Sequence, residues 1–366
     1  MNRRHLLIGT GSLLALGAGA AWVTMRQMGS SAGYRDAMQA LRRELPAQPQ
    51  DLDLIRYAAL AASGHNTQPW IFSAAPGQIT LQPDLTRRTP VVDPDDHHLY
   101  ASLGCAAENL ALAAAARGQG GELVFDDTGD GRIVFAHQPA APQDSPLFDA
   151  IPHRQSTRAA YDGRAVSPAD LNSLANAAAI PGIDMVLIND RPQLDRIRDL
   201  VIAGNSAQMA DPEFIRELKA WLRFNPRQAL RTGDGLYSAA SGNPALPDWL
   251  GPRAFDLVFT AKAENDKYAE QLRSSAGVAV FVGQQDDREH WMRAGRACQR
   301  FALQATALGL KCAYINQPVE VAALRPELAA LVGLPGRRPD IVLRFGYGPT
   351  LPYSPRRPVE SIIRAA

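Results

Sequence analysis

The sequence predicts an α+β fold assembled from two similar units in one chain, and three observations carry that prediction. The chain has 366 residues, room for two domains or two halves of one large unit. A run of helix, strands, long helix and strands in the first part returns in the second. The two long helices also align without gaps. Leu103 to Gly118 against Ala294 to Gly309 match at seven of sixteen positions, with glycines paired at both ends: Gly104 with Gly295, and Gly118 with Gly309. A shorter echo links Asp51–Ala59 with Asp170–Ala178.

Taken in order, Tyr34–Glu44 and Leu52–Ala62 have apolar residues at helical spacing. Trp70–Gln82 shortens to alternating runs broken by Pro76-Gly77, the pattern of a hairpin. Leu99–Arg117 is an Ala/Leu helix ending at Gly118, followed by strands at Glu122–Phe125 and Arg132–Ala136 joined through Gly129-Asp130-Gly131. Pro139–Pro146 is the linker candidate. Beyond it, Ser167 caps a helix to Ala179 with Pro168 at its first position, and Met185–Asn189 reads as a strand. Gly277–Gly283 is apolar and β-branched enough for a buried strand. Arg288–Leu308 is a long helix, with strands at Ala313–Asn316 and Asp340–Gly348 to finish. These spacings divide the chain into a first half at 34–138 and a second at 147–366.

Residues 1–25 read as a targeting segment. Met1-Asn2-Arg3-Arg4 is a basic start, and Leu6 to Val23 carries no charge. Adjacent Arg3 and Arg4, a mild Gly/Ala-rich apolar run and Ala18-Gly19-Ala20 resemble a twin-arginine export signal with its cleavage site. Export by the twin-arginine translocase to the periplasm follows, or anchoring in the inner membrane if the run stays uncleaved. No later stretch looks long and apolar enough to span a bilayer. Hydrophobic residues at 46% and charged residues at 20% exclude a disordered chain, and a net charge of +1 supplies no cationic face for nucleic acid. Cys105, Cys298 and Cys312 lack metal-site spacing and read as buried small hydrophobes.

Three segments carry chemistry. Ala62-Ser63-Gly64-His65-Asn66-Thr67-Gln68-Pro69-Trp70 sets hydroxyl and amide groups in a loop between helix and strand, suited to ligand contacts or to capping around a buried Trp. Arg154, Ser156 and Arg158 alternate, so an extended backbone points all three to one side, where two guanidinium forks and a hydroxyl suit a phosphate or polar heterocycle edge. Arg356 and Arg357 lie between Pro355 and Pro358. Each of these basic stretches, alone, also reads as ordinary surface. Asp93 to His98 offers acids and two histidines, but adjacent histidines on a helix point apart and acids before a helix cap it, so no metal is assigned.

Together these segments resemble the nitroreductase family of FMN-dependent flavoproteins, and more closely its Acg-like subgroup, in which two family units share one chain. The resemblance spans Asp51 to Ile363. It implies two nitroreductase-like three-layer α/β/α units fused as an intramolecular pseudo-dimer, an internal dimer that would leave the chain monomeric. Ser63, Gly64 and Asn66, with His65 and Gln68 beside them, match the family's first loop, with Ala62 where the family usually has Pro. Arg154, Ser156 and Arg158 match its R-x-S-x-[KR] segment. The strand passing the flavin matches Ala313 to Gln317, with Ala313, Tyr314 and Asn316 as contacts, and Arg356 or Arg357 matches the phosphate ligand. The first half lacks R-x-S-x-R and the second lacks the Ser-Gly-His-Asn loop, so one composite FMN site is implied. Its function would be hydride transfer between a small-molecule donor and a nitroaromatic, quinone or similar acceptor, with the flavin rather than a catalytic side chain doing the chemistry. The alternative is a non-catalytic flavin-holding protein under a lid, for which residues 225–250, rich in Gly, Pro, Asn and Ser, are the candidate if they are not plain surface insertion.

Overall fold

A computed structural model describes residues 28–364; the targeting segment lies outside the described residues. The first part runs α1 (Ser31–Leu41), α2 (Asp51–Ala58), β1 (Trp70–Ala75), β2 (Gln78–Pro83), α3 (His97–Ala116), β3 (Gln119–Asp126) and β4 (Arg132–Pro139). Then come α4 (Pro146–Ala150), α5 (Pro168–Ala177), β5 (Ile183–Ile188), α6 (Arg191–Met209), α7 (Pro212–Trp221), β6 (Leu222–Arg223), α8 (Pro226–Thr232), β7 (Leu236–Tyr237), α9 (Gly251–Val258) and α10 (Ala261–Arg273). The chain closes with β8 (Gly277–Gly283), α11 (Arg288–Ala307), β9 (Lys311–Tyr314), α12 (Gln317–Glu320), α13 (Arg325–Leu331) and β10 (Pro339–Gly346).

Each half holds a four-stranded antiparallel sheet, and the two have one topology. Their orders are β1-β2-β4-β3 and β5-β8-β10-β9, so in both the fourth strand lies between the second and third. In both, the long helix connects second strand to third. The first sheet packs one face, with Trp70, Phe72, Ile79, Leu81 and Phe135, on α2 and α3, and turns Glu122 and Val124 outward. The second is covered on both faces. Along β8, Ala279 and Phe281 meet α5 and α11, while Val278, Val280 and Val282 meet α6, α10 and α13, the two-residue alternation of a pleated strand. That double cover explains why Gly277–Gly283 is uniformly apolar.

The long helices α3 and α11 pack on each other at the centre. A Cβ at Gly104 would lie 1.9 Å from the Met292 carbonyl oxygen, and one at Gly295 would lie 1.9 Å from that of Ala101. In the gap-free alignment Ala101 pairs with Met292, so the two close approaches are mirror partners of one another. The polar contacts follow the same rule. Gln299 donates to Asn109 (2.8 Å), and at the aligned positions Arg300 donates to Glu108 (2.7 Å). By length and composition α3 could span a membrane, against the expectation that nothing beyond the leader could, but it forms the packed centre of the molecule. The three cysteines are free and buried, as their spacing suggested.

Candidate functional site

The loop after α2 is built on strained backbone. His65, Asn66 and Gln68 all have positive φ (46°, 54° and 53°), a conformation costing roughly 1 kcal/mol or more for each residue with a Cβ. Side-chain bonds to distant segments hold it. The Asn66 amide donates to the carbonyls of Gly235 and Pro355, both at 3.0 Å, and accepts from Arg356 Nη1 at 2.8 Å. Gln68 donates to Gly233 O (2.9 Å) and accepts from the backbone of Arg357 (2.9 Å). Ser63 Oγ accepts from Gln68 N at 3.1 Å, and Ser102 Oγ from Gly64 N at 3.2 Å.

Above this loop lies a cavity of about 390 Å³. Ser63, Gly64, His65, His98 and Cys105 enter it from the first half, and Arg158, Tyr268, Tyr314, Asn316 and Glu320 from the second. Its roof is apolar, with Phe214 and Leu218 of α7, Phe224, Leu246, and Phe255 and Val258 of α9. Residues 225–250 are therefore only part of the roof, which α7 and α9 extend on both sides.

A small basic annex of about 40 Å³ adjoins the cavity across Ser63, Arg158 and Tyr314. Arg42, Arg154, Arg158 and Arg356 line it with Ser156, Tyr353 and Ser354, and no carboxylate does. The Nε atoms of Arg42, Arg154 and Arg356 are buried and have no hydrogen-bond partner among the described residues. Their remaining nitrogens reach mostly carbonyls: Arg154 Nη2 donates to Leu60 O (3.1 Å), and Arg356 Nη2 to Leu60 O and Ala61 O. Burial pulls Arg42 down to about 10 and Arg356 well below its ordinary value, with neighbouring guanidiniums adding repulsion. Among the described residues the Arg158 guanidinium has no hydrogen-bond or ion-pair partner, and burial lowers it too. Buried cations without counter-charge are unfavourable unless an anion joins them.

Arg154, Ser156 and Arg158 all line the annex, the shared side expected from their alternation, and Ser156 bridges to Cys312 at the edge of β9. Other expectations need correcting. Arg357 leaves the annex, donating to Gln68 O and approaching Asp84, while Arg356 enters it. Gln68 is wholly buried and committed to Arg357 and Gly233, so it reaches neither cavity. Ala313 is buried inside β9, paired with Arg344. Asn66 borders the annex, but its amide is spent on anchoring. Tyr314 lines both chambers, and Asn316 faces the larger one while accepting from Val342 N (2.8 Å). Of Asp93, Asp95 and Asp96, Asp93 caps the helix, accepting from His98 N and Leu99 N, while Asp95 pairs with Arg338; His97 meets Asp340 at 2.8 Å. Sequence reading missed Arg42, whose Arg42-Arg43 doublet at a helix end looks like dipole compensation, and missed Tyr353, Tyr268 and Glu320, which stand in no motif.

A family model described as Nitroreductase family matches residues 151–348, more than half of the chain. The chain belongs to the nitroreductase family. Among relatives, Rv3131 of Mycobacterium tuberculosis (strain ATCC 25618 / H37Rv), provisionally named an NAD(P)H nitroreductase, is 29% identical over 88% of this chain and 94% of its own. The protein acg of the same strain, named likewise, is 24% identical over 84% of this chain and 93% of its own. Nitroreductase structures align more loosely. The Bacteroides fragilis nitroreductase with bound FMN is 15% identical, covering 56% of this chain and 90% of that one at a TM-score of 0.36. The FMN-dependent NfnB of Mycobacterium smegmatis, in complex with NADPH, is 12% identical, covering 56% and 87% at 0.37.

Proposed function

We propose that this nitroreductase-family chain is an FMN-dependent oxidoreductase with a single composite site, formed where its two like-built halves meet. The observation that carries the reading is the annex. Three buried Nε–H donors without partners, four guanidiniums and no carboxylate suit a phosphate monoester dianion, and the adjoining chamber, apolar above and polar at its edges, suits a flat heterocycle. Arg42, Arg154, Arg356 and Ser156 would hold the phosphate end. Arg158, at the border of both chambers, would place positive charge beside the ring system, where it favours the reduced anion. Bound there, FMN supplies two-electron transfer between a reduced donor and a nitroaromatic, quinone or similar acceptor.

Toward the flavin, the protein's own part is to bind and orient it. The first half supplies Ser63, Gly64 and His65, and the second the arginines, so neither is sufficient. The matched strand orders and the paired contacts of α3 and α11 favour two fused family units, an internal pseudo-dimer that leaves the chain monomeric. The names of its relatives favour NAD(P)H as donor. Export through residues 1–25 would place the protein outside the cytoplasm and call for another donor, and the roof of α7 to α9 supports a second reading in which the flavin is held rather than turned over.

Titration of the apoprotein with FMN and with riboflavin tests the site. Arg42→Ala and Arg154→Ala should each weaken FMN binding by about 10–100-fold, the loss of one charged hydrogen bond, and leave riboflavin nearly unaffected. Unchanged FMN affinity in both variants would refute the assignment. Bleaching of the holoprotein by dithionite but not by NADPH would favour holding or a different donor.

A further inference from the structure

The chamber is polar at one end, and the annex residues take no part in that end. Glu320, on α12, has Oε2 accepting from Gln208 Nε2 at 2.6 Å and Oε1 3.7 Å from His98 Nε2. Both partners line the same cavity, and none of the three lines the annex. Tyr268 lines the same cavity, and its phenol is within electrostatic reach of both Arg158 and Glu320. Such a carboxyl is costly to ionise in a largely apolar, roofed chamber, and useful there as a hydrogen-bond donor.

We propose that Glu320 is the proton donor to the acceptor in this cavity, and that the cavity therefore takes acceptors ending in a reducible oxygen, a quinone carbonyl or a nitro group. This rests on the oxidoreductase reading above. The balance is direct. Bound FMN, once reduced, would supply hydride, that is two electrons and one proton, to the quinone; the Glu320 O–H bond breaks to give the second proton to the carbonyl oxygen, and hydroquinone leaves. The carboxylate regains its proton from water entering at the rim, where Gly64, Asn243, Pro244 and Val258 are both cavity-lining and exposed.

The surroundings shift the carboxyl toward its protonated form. Burial raises it, Asp93 and Glu217 raise it further, and His98 and the Gln208 amide oppose. His98 offers little opposing charge, because burial and then His97 push it down to about 3. Glu264, the other acid lining this cavity, lies 3.6 Å from Lys267. Donation thus fails as pH rises through the Glu320 value and the neutral form is lost.

The test uses dithionite-reduced holoprotein mixed rapidly with benzoquinone or with ferricyanide, which accepts electrons without a proton. In Glu320→Gln the benzoquinone rate should fall about 10²-fold or more relative to the ferricyanide rate, and its pH dependence should flatten. Calorimetric binding of acetophenone, an unreactive aryl ketone, gives a readout without turnover. The wild type should lose affinity as pH rises, Glu320→Gln should bind at all pH values through its amide N–H, and Glu320→Leu should bind weakly throughout. A flavin-loaded Glu320→Gln with wild-type rates for both acceptors and wild-type pH profiles overturns the proposal. Protein without flavin, or reduced protein that neither acceptor reoxidises, overturns the oxidoreductase reading and this one with it.

Discussion

Asn66 shows how a residue can be recognised for one use and employed in another. Its place in a polar loop marked it as a ligand contact, yet its amide joins the loop to Gly235, Pro355 and Arg356. Sequence reveals residue type and spacing; it does not reveal which distant carbonyl will lie within 3 Å. Replacing Asn66 with Ala leaves two carbonyls and a buried guanidinium short of partners, and should cost about 2–4 kcal/mol in urea-induced unfolding, with weaker FMN binding as a side effect. His65 makes a separate prediction. Burial and then Arg158 hold it down at about 4, against 6.5 when unfolded. Between those values the unfolded state takes up a proton that the folded state refuses, so the histidine lowers stability as pH falls through that window. His65→Asn, which tolerates the left-handed backbone, should therefore gain on the wild type by roughly 1–2 kcal/mol at pH 4.5 and by nothing at pH 8, as read by thermal unfolding.

Among elements, α3 and α11 were the most legible, because their repeat of small residues and end glycines has one physical cause. Backbones that cross this closely leave no room for a Cβ at Gly104 or Gly295. Gly104→Ala and Gly295→Ala should each destabilise by about 3 kcal/mol or more in calorimetry, and to similar extents, since each meets the aligned carbonyl of the other helix. The buried strand β8 was equally plain. Within residues 191–273 only the lid candidate at 225–250 was legible and none of the helices was, for reasons that differ by element. The helical spacing of Leu194, Ile197, Leu200 and Val201 was present in α6. In the roof, α7 does space Phe214, Leu218 and Trp221 helically, but α7, α8 and α9 are only 10, 7 and 8 residues long, too short for a periodic pattern to stand out.

For the whole molecule, near-neutral charge conceals a concentrated one. Arg42, Arg154, Arg158 and Arg356 converge from three separate stretches of chain, while most other charges are paired across the surface. The two-unit organisation could be read from the repeat, and the site's division between halves from what each half lacks; the basic annex could not, because Arg42 is brought in only by tertiary packing. Separate chains covering 28–143 and 144–364 should each lack cooperative unfolding and FMN affinity, with binding returning only on mixing. Cooperative melting of either piece alone would contradict this.

The last described residues add one more strand pairing. Phe72 N donates to Ile362 O at 2.7 Å, Arg364 N donates to Phe72 O at 2.9 Å, and Ile363 bridges in parallel to the edge of β1. The first sheet is thus finished by residues that follow it by almost three hundred positions in the chain. During synthesis the early half must wait with an open edge until the chain through Arg364 has been made and can seal it.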